Sequence, residues 1–135
     1  MKQIFLILIV ATTLSCSSLK LIKPDWSIID KVEYYGDCPP GQCKDYNIKG
    51  NPNKLTQIFT NIELTDHFFP KGPSHYALIK LLNGNVYTIQ IIRTKHSPFR
   101  ILGKKDWENK WYELKNKEDD SWDKYIGELS VEYYK

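Results

Sequence analysis

Hydrophobic and polar positions beyond residue 25 first follow the pattern of a β-hairpin. Residues 26–35 are rich in β-branched and aromatic side chains, which favour strands, and a second run of this kind passes through residues 46–48. We expect the two runs to pair, in a register that sets Tyr35 opposite Tyr46. The apolar positions do not align along the whole length, which indicates a bulge.

A second hairpin is predicted over residues 75–93. Asn83 and Gly84 tolerate the positive φ values of a two-residue type I′ turn, and the register of that turn pairs Leu78 with Ile89. One face of the hairpin should then pack on a helix, and its residues are Tyr76, Leu78, Tyr87, Ile89 and Ile91. The opposite face carries Ala77, Ile79, Leu81, Val86 and Ile92.

A helix is predicted to begin after Gly50. Asn51 is a favourable N-cap, and Pro52 suits the first helical position, where its missing N–H costs nothing. Apolar residues then recur at the spacing of one helical stripe, at Leu55, Ile58, Phe59 and Ile62.

The last segment predicts a second helix. Asp119, Asp120 and Ser121 precede it, Asp120 or Ser121 can cap it, and Asp123 in the first turn complements the helix dipole. Helical spacing is then kept by Trp122, Tyr125, Ile126, Leu129 and Tyr133. With short strands at residues 99–102 and 110–115, the element order is ββ-α-ββββ-α. We expect residues 25–135 to form a single small α+β domain, an antiparallel sheet with one helix packed on it and a C-terminal helix.

The amino terminus has a different pattern. Lys2 precedes an apolar run over residues 4–11 that is too short to cross a bilayer, which takes about 20 apolar residues. It suits the apolar region of a secretory signal. Leu14, Ser15 and Cys16 follow, and this ending resembles the lipobox of bacterial lipoproteins, although Thr13 occupies the position where that motif usually has Leu or Val.

The resemblance implies that residues 1–15 are a signal peptide, that Cys16 is lipidated, and that residues 16–24 are the lipidated cysteine and its tether. The resemblance also implies that the protein is located in the cell envelope. The lipid would attach it to a membrane, and the domain would face the periplasm or the exterior. Ser17, where Asp often marks inner-membrane retention, favours the outer membrane. The alternatives are an ordinary signal peptide cut at a nearby small residue and a retained hydrophobic anchor.

Two further cysteines, Cys38 and Cys43, remain if Cys16 carries lipid. An exported protein meets an oxidising environment, so this even number predicts a disulfide. Pro40 and Gly41 between them suit the central positions of a type II turn, which brings the two cysteines into range. The alternative is a redox pair or half of a metal site, for which the spacing and the number of ligands are unfavourable.

The charge balance and the motifs of the chain limit which functions the sequence indicates. The chain has 19 Lys and Arg against 16 Asp and Glu, which gives no indication of nucleic-acid binding. The three histidines, His67, His75 and His96, are far apart in sequence and show no zinc spacing, so we expect them to be exposed or capping. No nucleophile elbow, phosphate loop or dinucleotide fingerprint is present, so we assign no catalytic residue, metal or cofactor.

Two features are candidates for binding. Basic residues cluster between the second hairpin and Trp107, namely Arg93, Lys95, His96, Arg100, Lys104 and Lys105, and an anionic partner could use them. Trp107 and Trp111 could bind a protein or a sugar if they are exposed. The alternatives are a solvated basic rim and aromatic residues that build the core with the last helix.

The sequence therefore favours a lipid-anchored envelope protein with a non-catalytic binding or inhibitory (immunity-like) domain for a protein partner. The first alternative is a glycan- or peptidoglycan-binding lipoprotein that uses exposed tryptophans. The second is an envelope hydrolase, which would need two carboxylates facing each other across a cleft.

Overall fold

The computed structural model describes residues 24–42, 46–65, 70–103 and 110–135. Within them, a 3-10 turn at Trp26–Ile28 is followed by strands and helices that we number in chain order. They are β1 (Ile29–Gly36), β2 (Ile48–Gly50), α1 (Pro52–Phe59), β3 (Ile62–Thr65), β4 (Ser74–Leu81), β5 (Val86–Ile92), β6 (Phe99–Ile101), β7 (Trp111–Leu114) and α2 (Ser121–Tyr133).

The strands form one antiparallel sheet in the order β2-β1-β4-β5-β6-β7-β3, as far as the described residues extend. Both helices contribute apolar residues to one core on one side of this sheet. We call the other side the outer face. The α+β class predicted from the sequence is confirmed.

The order ββ-α-ββββ-α omits one strand. The predicted helix includes Ile62, but α1 ends at Phe59, and Ile62 begins β3. Thr60 closes the helix, because its N–H bonds to the carbonyl of Thr56 and its hydroxyl donates to the carbonyl of Gln57 at 2.6 Å. Ile62 still packs against the core, but it does so from a strand paired with Leu114 in β7.

The register predicted for the β4–β5 hairpin is wrong by one residue. Leu81 N–H donates to Asn85 O, so the loop has three residues, and Gly84 alone in it has a positive φ, of 91°. This is a turn followed by a glycine bulge rather than a type I′ turn. Ala77 therefore pairs with Ile89.

The one-residue difference exchanges the two faces of β4. Ala77, Ile79 and Leu81 are buried in the core, whereas Tyr76 and Leu78 lie on the outer face. The faces predicted for β5 are those observed, since its core side carries Tyr87, Ile89 and Ile91 and its outer side Val86 and Ile92.

The first hairpin also differs from its predicted register. Tyr34, not Tyr35, lies opposite the returning strand at Ile48, and Tyr46 precedes that strand. This pairing keeps Tyr34 and Ile48 together on the core side. The predicted turn is confirmed, because Gln42 N–H donates to Pro39 O at 3.1 Å and Gly41 has a φ of 86°.

Both helix starts lie where the sequence predicts them. The Asn51 side chain accepts from Lys54 N–H at 3.1 Å, which confirms the N-cap of α1. At α2, Asp120 holds the cap position without a side-chain hydrogen bond, and it is Asp119 that accepts from Ser121 N–H at 2.9 Å.

Aromatic rings fill the space between the helices and the sheet. Phe99 on β6 stacks between Phe59 of α1, at a centroid distance of 4.9 Å, and Tyr112 of β7, at 5.1 Å. Trp122 of α2 contacts the same cluster at 5.1 Å from Phe59. No helix among the described residues has the length and apolar character needed to cross a membrane.

Candidate functional site

The candidate basic residues that the structure describes do not form one patch. Arg93 follows β5 and its guanidinium lies over α2, with Nη2 4.0 Å from the position that a Cβ on Gly127 would take. Arg100 is on the outer face, where its Nε donates to the side chain of Gln90 at 2.7 Å. The sheet therefore separates the two arginines, while Lys95 and His96 lie in the β5–β6 loop with Lys95 exposed and His96 half-buried.

Arg100 belongs to a row of side chains that crosses four strands of the outer face, which we call the outer-face row. It consists of Tyr76 on β4, Gln90 on β5, Arg100 on β6 and Trp111 on β7. The Arg100 guanidinium lies 5.2 Å from the centroid of the Trp111 ring. Gln90 in turn donates to the Ser74 hydroxyl at 2.8 Å. Arg100 is therefore held on two sides, by a hydrogen bond and by a ring.

Trp111 is 5% exposed, although it lies outside the main core. Trp122 is 2% exposed, and Tyr112 and Tyr125 are also buried. Tyr112, Trp122 and Tyr125 belong to the core that the last helix helps to build, whereas Trp111 is buried on the outer face. Trp111, the described candidate tryptophan, offers no open ring on which a sugar could stack.

The β5–β6 loop is held by the first turn of α2. His96 and Ser97 have φ values of 70° and 38°, in the left-handed region that side chains other than glycine rarely adopt. The Asp123 carboxylate accepts from His96 N–H at 3.1 Å and from the Ser97 hydroxyl, and Trp122 Nε1 donates to Ser97 O at 2.6 Å. Asp123 thus has a specific role beyond its favourable place in the helix dipole.

Sequence reasoning missed a buried pair between Tyr34 and His75. His75 is only 9% exposed, so the expectation of an exposed or capping histidine is wrong for this residue. The first residues of β4 point alternately inward, and the one-residue change of register puts His75 on the core side. The Tyr34 hydroxyl and His75 Nδ1 share a hydrogen bond. Alternation along β4 in the correct register was the one signal that could have found it.

Burial raises the pKa of Tyr34 to about 12, so its hydroxyl keeps its proton at neutral pH and shares a hydrogen bond with His75 Nδ1. Burial also lowers the pKa of His75 below its ordinary value, and the positive charge of Arg93 lowers it further. The negative charge of Asp37 acts in the opposite direction. At neutral pH the pair is therefore an uncharged hydrogen bond, which supports the fold.

No protein-family model, curated protein or solved structure matches this chain. Its function is therefore inferred from its own residues.

Several residues singled out in the sequence lie outside the described ranges. They are Cys16, Cys43, His67, Lys104, Lys105 and Trp107. Cys38 lies just after β1, and its hydrogen bond from N–H to Tyr35 O, at 3.3 Å, starts the turn toward Cys43. The disulfide therefore stays a prediction.

The described residues contain no group of three or more His, Cys, Asp or Glu side chains placed to hold a metal ion. The outer-face row presents the Arg100 guanidinium in a fixed position, beside the partly exposed side chains of Gln90 and Tyr76. Across residues 24–42, 46–65, 70–103 and 110–135, Arg100 forms no salt bridge. Its terminal N–H groups suit a carboxylate, which a guanidinium can bind through two parallel hydrogen bonds.

Proposed function

We propose that this chain is a lipid-anchored, non-catalytic binding protein of the cell envelope, with an inhibitory (immunity-like) role toward a protein partner. The anchor follows from the N-terminal pattern of Lys2, an apolar run and the lipobox-like ending at Cys16. It places the folded domain outside the cytoplasm, at a membrane surface, where its partner must also be found.

The observation that carries the binding role is the way Arg100 is held. Gln90 and Trp111 fix its guanidinium on a partly exposed sheet face, in one row with Tyr76. Arginine and tyrosine are among the residue types that dominate the binding energy of protein interfaces. A side chain already held in one geometry also loses less entropy when a partner binds.

Charge indicates what the partner presents. Arg100 is a cation without a salt bridge inside the described part of the chain, so an acidic side chain of the partner completes its hydrogen bonds. A protein is favoured over a glycan because Trp111 and Trp122 are buried and cannot stack on sugar rings. We therefore propose an envelope protein with an exposed carboxylate as the partner.

Affinity capture from detergent extracts of the host envelope tests this proposal, with the wild-type chain and Arg100→Ala as matched baits. We expect the wild type to retain a specific protein and Arg100→Ala to bind it at least about 30-fold more weakly, the effect of a hot-spot arginine. Arg100→Lys should restore only part of the binding, since it keeps the charge but not the planar fork.

Lys124→Ala is the control, because Lys124 is an exposed cation on α2, away from the outer face. It should bind the partner as the wild type does. Equal binding by wild type, Arg100→Ala and Lys124→Ala would remove the outer-face row from the proposal. Circular dichroism of each bait shows whether the fold is kept.

A further inference from the structure

The residues just before β1, and its first residue, lie beside the turn that joins β4 and β5. Leu82 N–H donates to Ile28 O at 2.8 Å, and Trp26 contacts the ring of Tyr87 at a centroid distance of 5.7 Å. Ile29 pairs with Leu81 at the same end of the sheet. The 3-10 turn at Trp26–Ile28, the start of β1 and the β4–β5 turn therefore form one end of the sheet, which we call the entry end.

Two large apolar side chains are exposed at the entry end. Leu82 is 68% exposed and Val86 is 48% exposed, on either side of the turn. Both could turn toward the core in other registers of the hairpin, but the glycine bulge at Gly84 fixes them outside. Exposed apolar residues that flank a turn are suited to shallow burial in the interfacial region of a bilayer.

Positive charge accompanies them. Lys31 and Lys80 lie directly opposite each other on β1 and β4, and Lys80 pairs in turn with Val86. Like charges at directly opposed positions destabilise a sheet. Neither lysine forms a salt bridge within the described ranges, and Glu33, the acid two residues along β1 from Lys31, accepts a hydrogen bond from Tyr35 at 2.8 Å. An external anion would compensate this pair.

The segment between Cys16 and Pro24 limits the distance between the domain and the membrane, where anionic lipid headgroups lie. Seven residues lie between Cys16 and Pro24, the first described residue, so Cys16 is at most about 28 Å from Pro24 even if the chain between them is fully extended. The opposite end of β1, at Gly36, lies seven residues after Ile29, which is about 23 Å along the strand. The anchor thus keeps the domain close to the bilayer and joins it through the residues just before Trp26, next to the entry end.

We infer that the entry end docks on the bilayer, with Lys31 and Lys80 against anionic lipid headgroups and Leu82 and Val86 in the interface. This inference rests on the proposed lipid anchor. It sets the orientation of the domain, because the outer-face row, at the other end of β4 from Lys80, is then held away from the membrane and open to a partner.

The test is a depth measurement on the full chain, purified with its membrane modification and reconstituted in phosphatidylglycerol-containing vesicles. A fluorescent amino acid replaces Leu82 in one sample and Val131 in the other, and nitroxide-bearing lipids quench fluorophores near the headgroups. Val131 is the matched control, since it is 67% exposed on α2. We expect quenching at position 82 and little at position 131.

The electrostatic part is tested in the same assay. In vesicles of phosphatidylcholine alone, or at 1 M salt, where the screening length falls to about 3 Å, quenching at position 82 should fall to the level at position 131. Lys31→Glu should have the same effect, and it should fold, because it puts opposite charges across the β1–β4 pair. Lys124→Glu on α2 should have none.

Equal quenching at positions 82 and 131, or quenching at 82 that ignores salt, lipid charge and Lys31→Glu, would overturn the inference. The presence of the lipid anchor is measured separately, by the mass of the amino-terminal peptide and by flotation of the chain with vesicles. A lipidated chain that floats but shows no preferential quenching at 82 refutes the docking and leaves the anchor intact.

Discussion

The Tyr34 hydroxyl bonds to Nδ1 of His75 inside the domain, where β1 and β4 meet the end of α2. The ring of Tyr133 packs edge-on against Tyr34 at 5.8 Å, and that of Tyr134 lies 6.0 Å from His75. The pair thus connects the centre of the sheet to the last turn of the chain.

Stability should depend on pH through His75. Its folded-state pKa is lowered by burial and by Arg93, with Asp37 opposing, so the unfolded chain takes up this proton at a higher pH than the folded chain does. The free energy of unfolding is therefore unaffected by His75 above about pH 6.5 and falls as the pH drops from there through the lower folded-state pKa. The loss is at most about 1.4 kcal/mol per pH unit.

Urea unfolding of the wild type and of His75→Gln between pH 8 and pH 5 measures this effect. The variant keeps an amide that can hydrogen-bond to Tyr34 but cannot titrate, so its stability should fall less below pH 6.5. Parallel pH profiles for the two proteins would contradict the assignment.

Gly36→Ala should destabilise the fold more than Gly41→Ala. Both glycines have positive φ, of 61° and 86°, so each change costs about 1–2 kcal/mol in backbone strain. At Gly36 the new Cβ would also lie 2.4 Å from Cε1 of Tyr133, whereas at Gly41 no atom of the described residues lies within 4 Å. Overpacking adds about 1–3 kcal/mol at Gly36 alone. Thermal unfolding of both variants measures the difference, and equal losses would argue against the packing of Tyr133 on β1.

Asp123→Ala should release the β5–β6 loop. It removes the acceptor of His96 N–H and of the Ser97 hydroxyl, both in left-handed backbone, and should cost about 1–3 kcal/mol. Asp120→Ala is the control, because the interaction of the Asp120 side chain within the described part of the chain is an exposed ion pair with Lys124, worth about 0–1 kcal/mol. Hydrogen exchange at residues 94–97 should speed up in Asp123→Ala and not in Asp120→Ala. The same exchange rates in both would refute this role.

The predicted Cys38–Cys43 disulfide closes a short loop, so breaking it should cost about 2 kcal/mol. Chemical reduction should lower the melting temperature of the wild type and leave the Cys38→Ala/Cys43→Ala variant unchanged. A melting temperature of the wild type that is insensitive to reduction would speak against the pairing.

Local signals predicted much of the fold. Asn51 and Pro52 located the start of α1, and the spacing of Trp122, Tyr125 and Ile126 located α2, because caps and helical periodicity depend on neighbouring residues alone. The class of the domain followed from these elements.

What the sequence did not reveal depends on contacts between distant segments. Ile62 fits the helical stripe of α1 equally well, and only its pairing with Leu114 in β7 makes it a strand residue. The number of residues in the Gly84 loop decided which face His75 and Tyr76 occupy. Arg93 and Arg100 are seven residues apart in sequence, yet the sheet lies between them.

The central claim is that processing at Cys16 attaches a binding domain to the envelope. Intact-mass spectrometry of the chain purified from bacterial membranes tests it most directly. The claim predicts a mature chain that begins at Cys16 and carries the added mass of acyl chains. An unmodified amino terminus that still bears Met1 would contradict it.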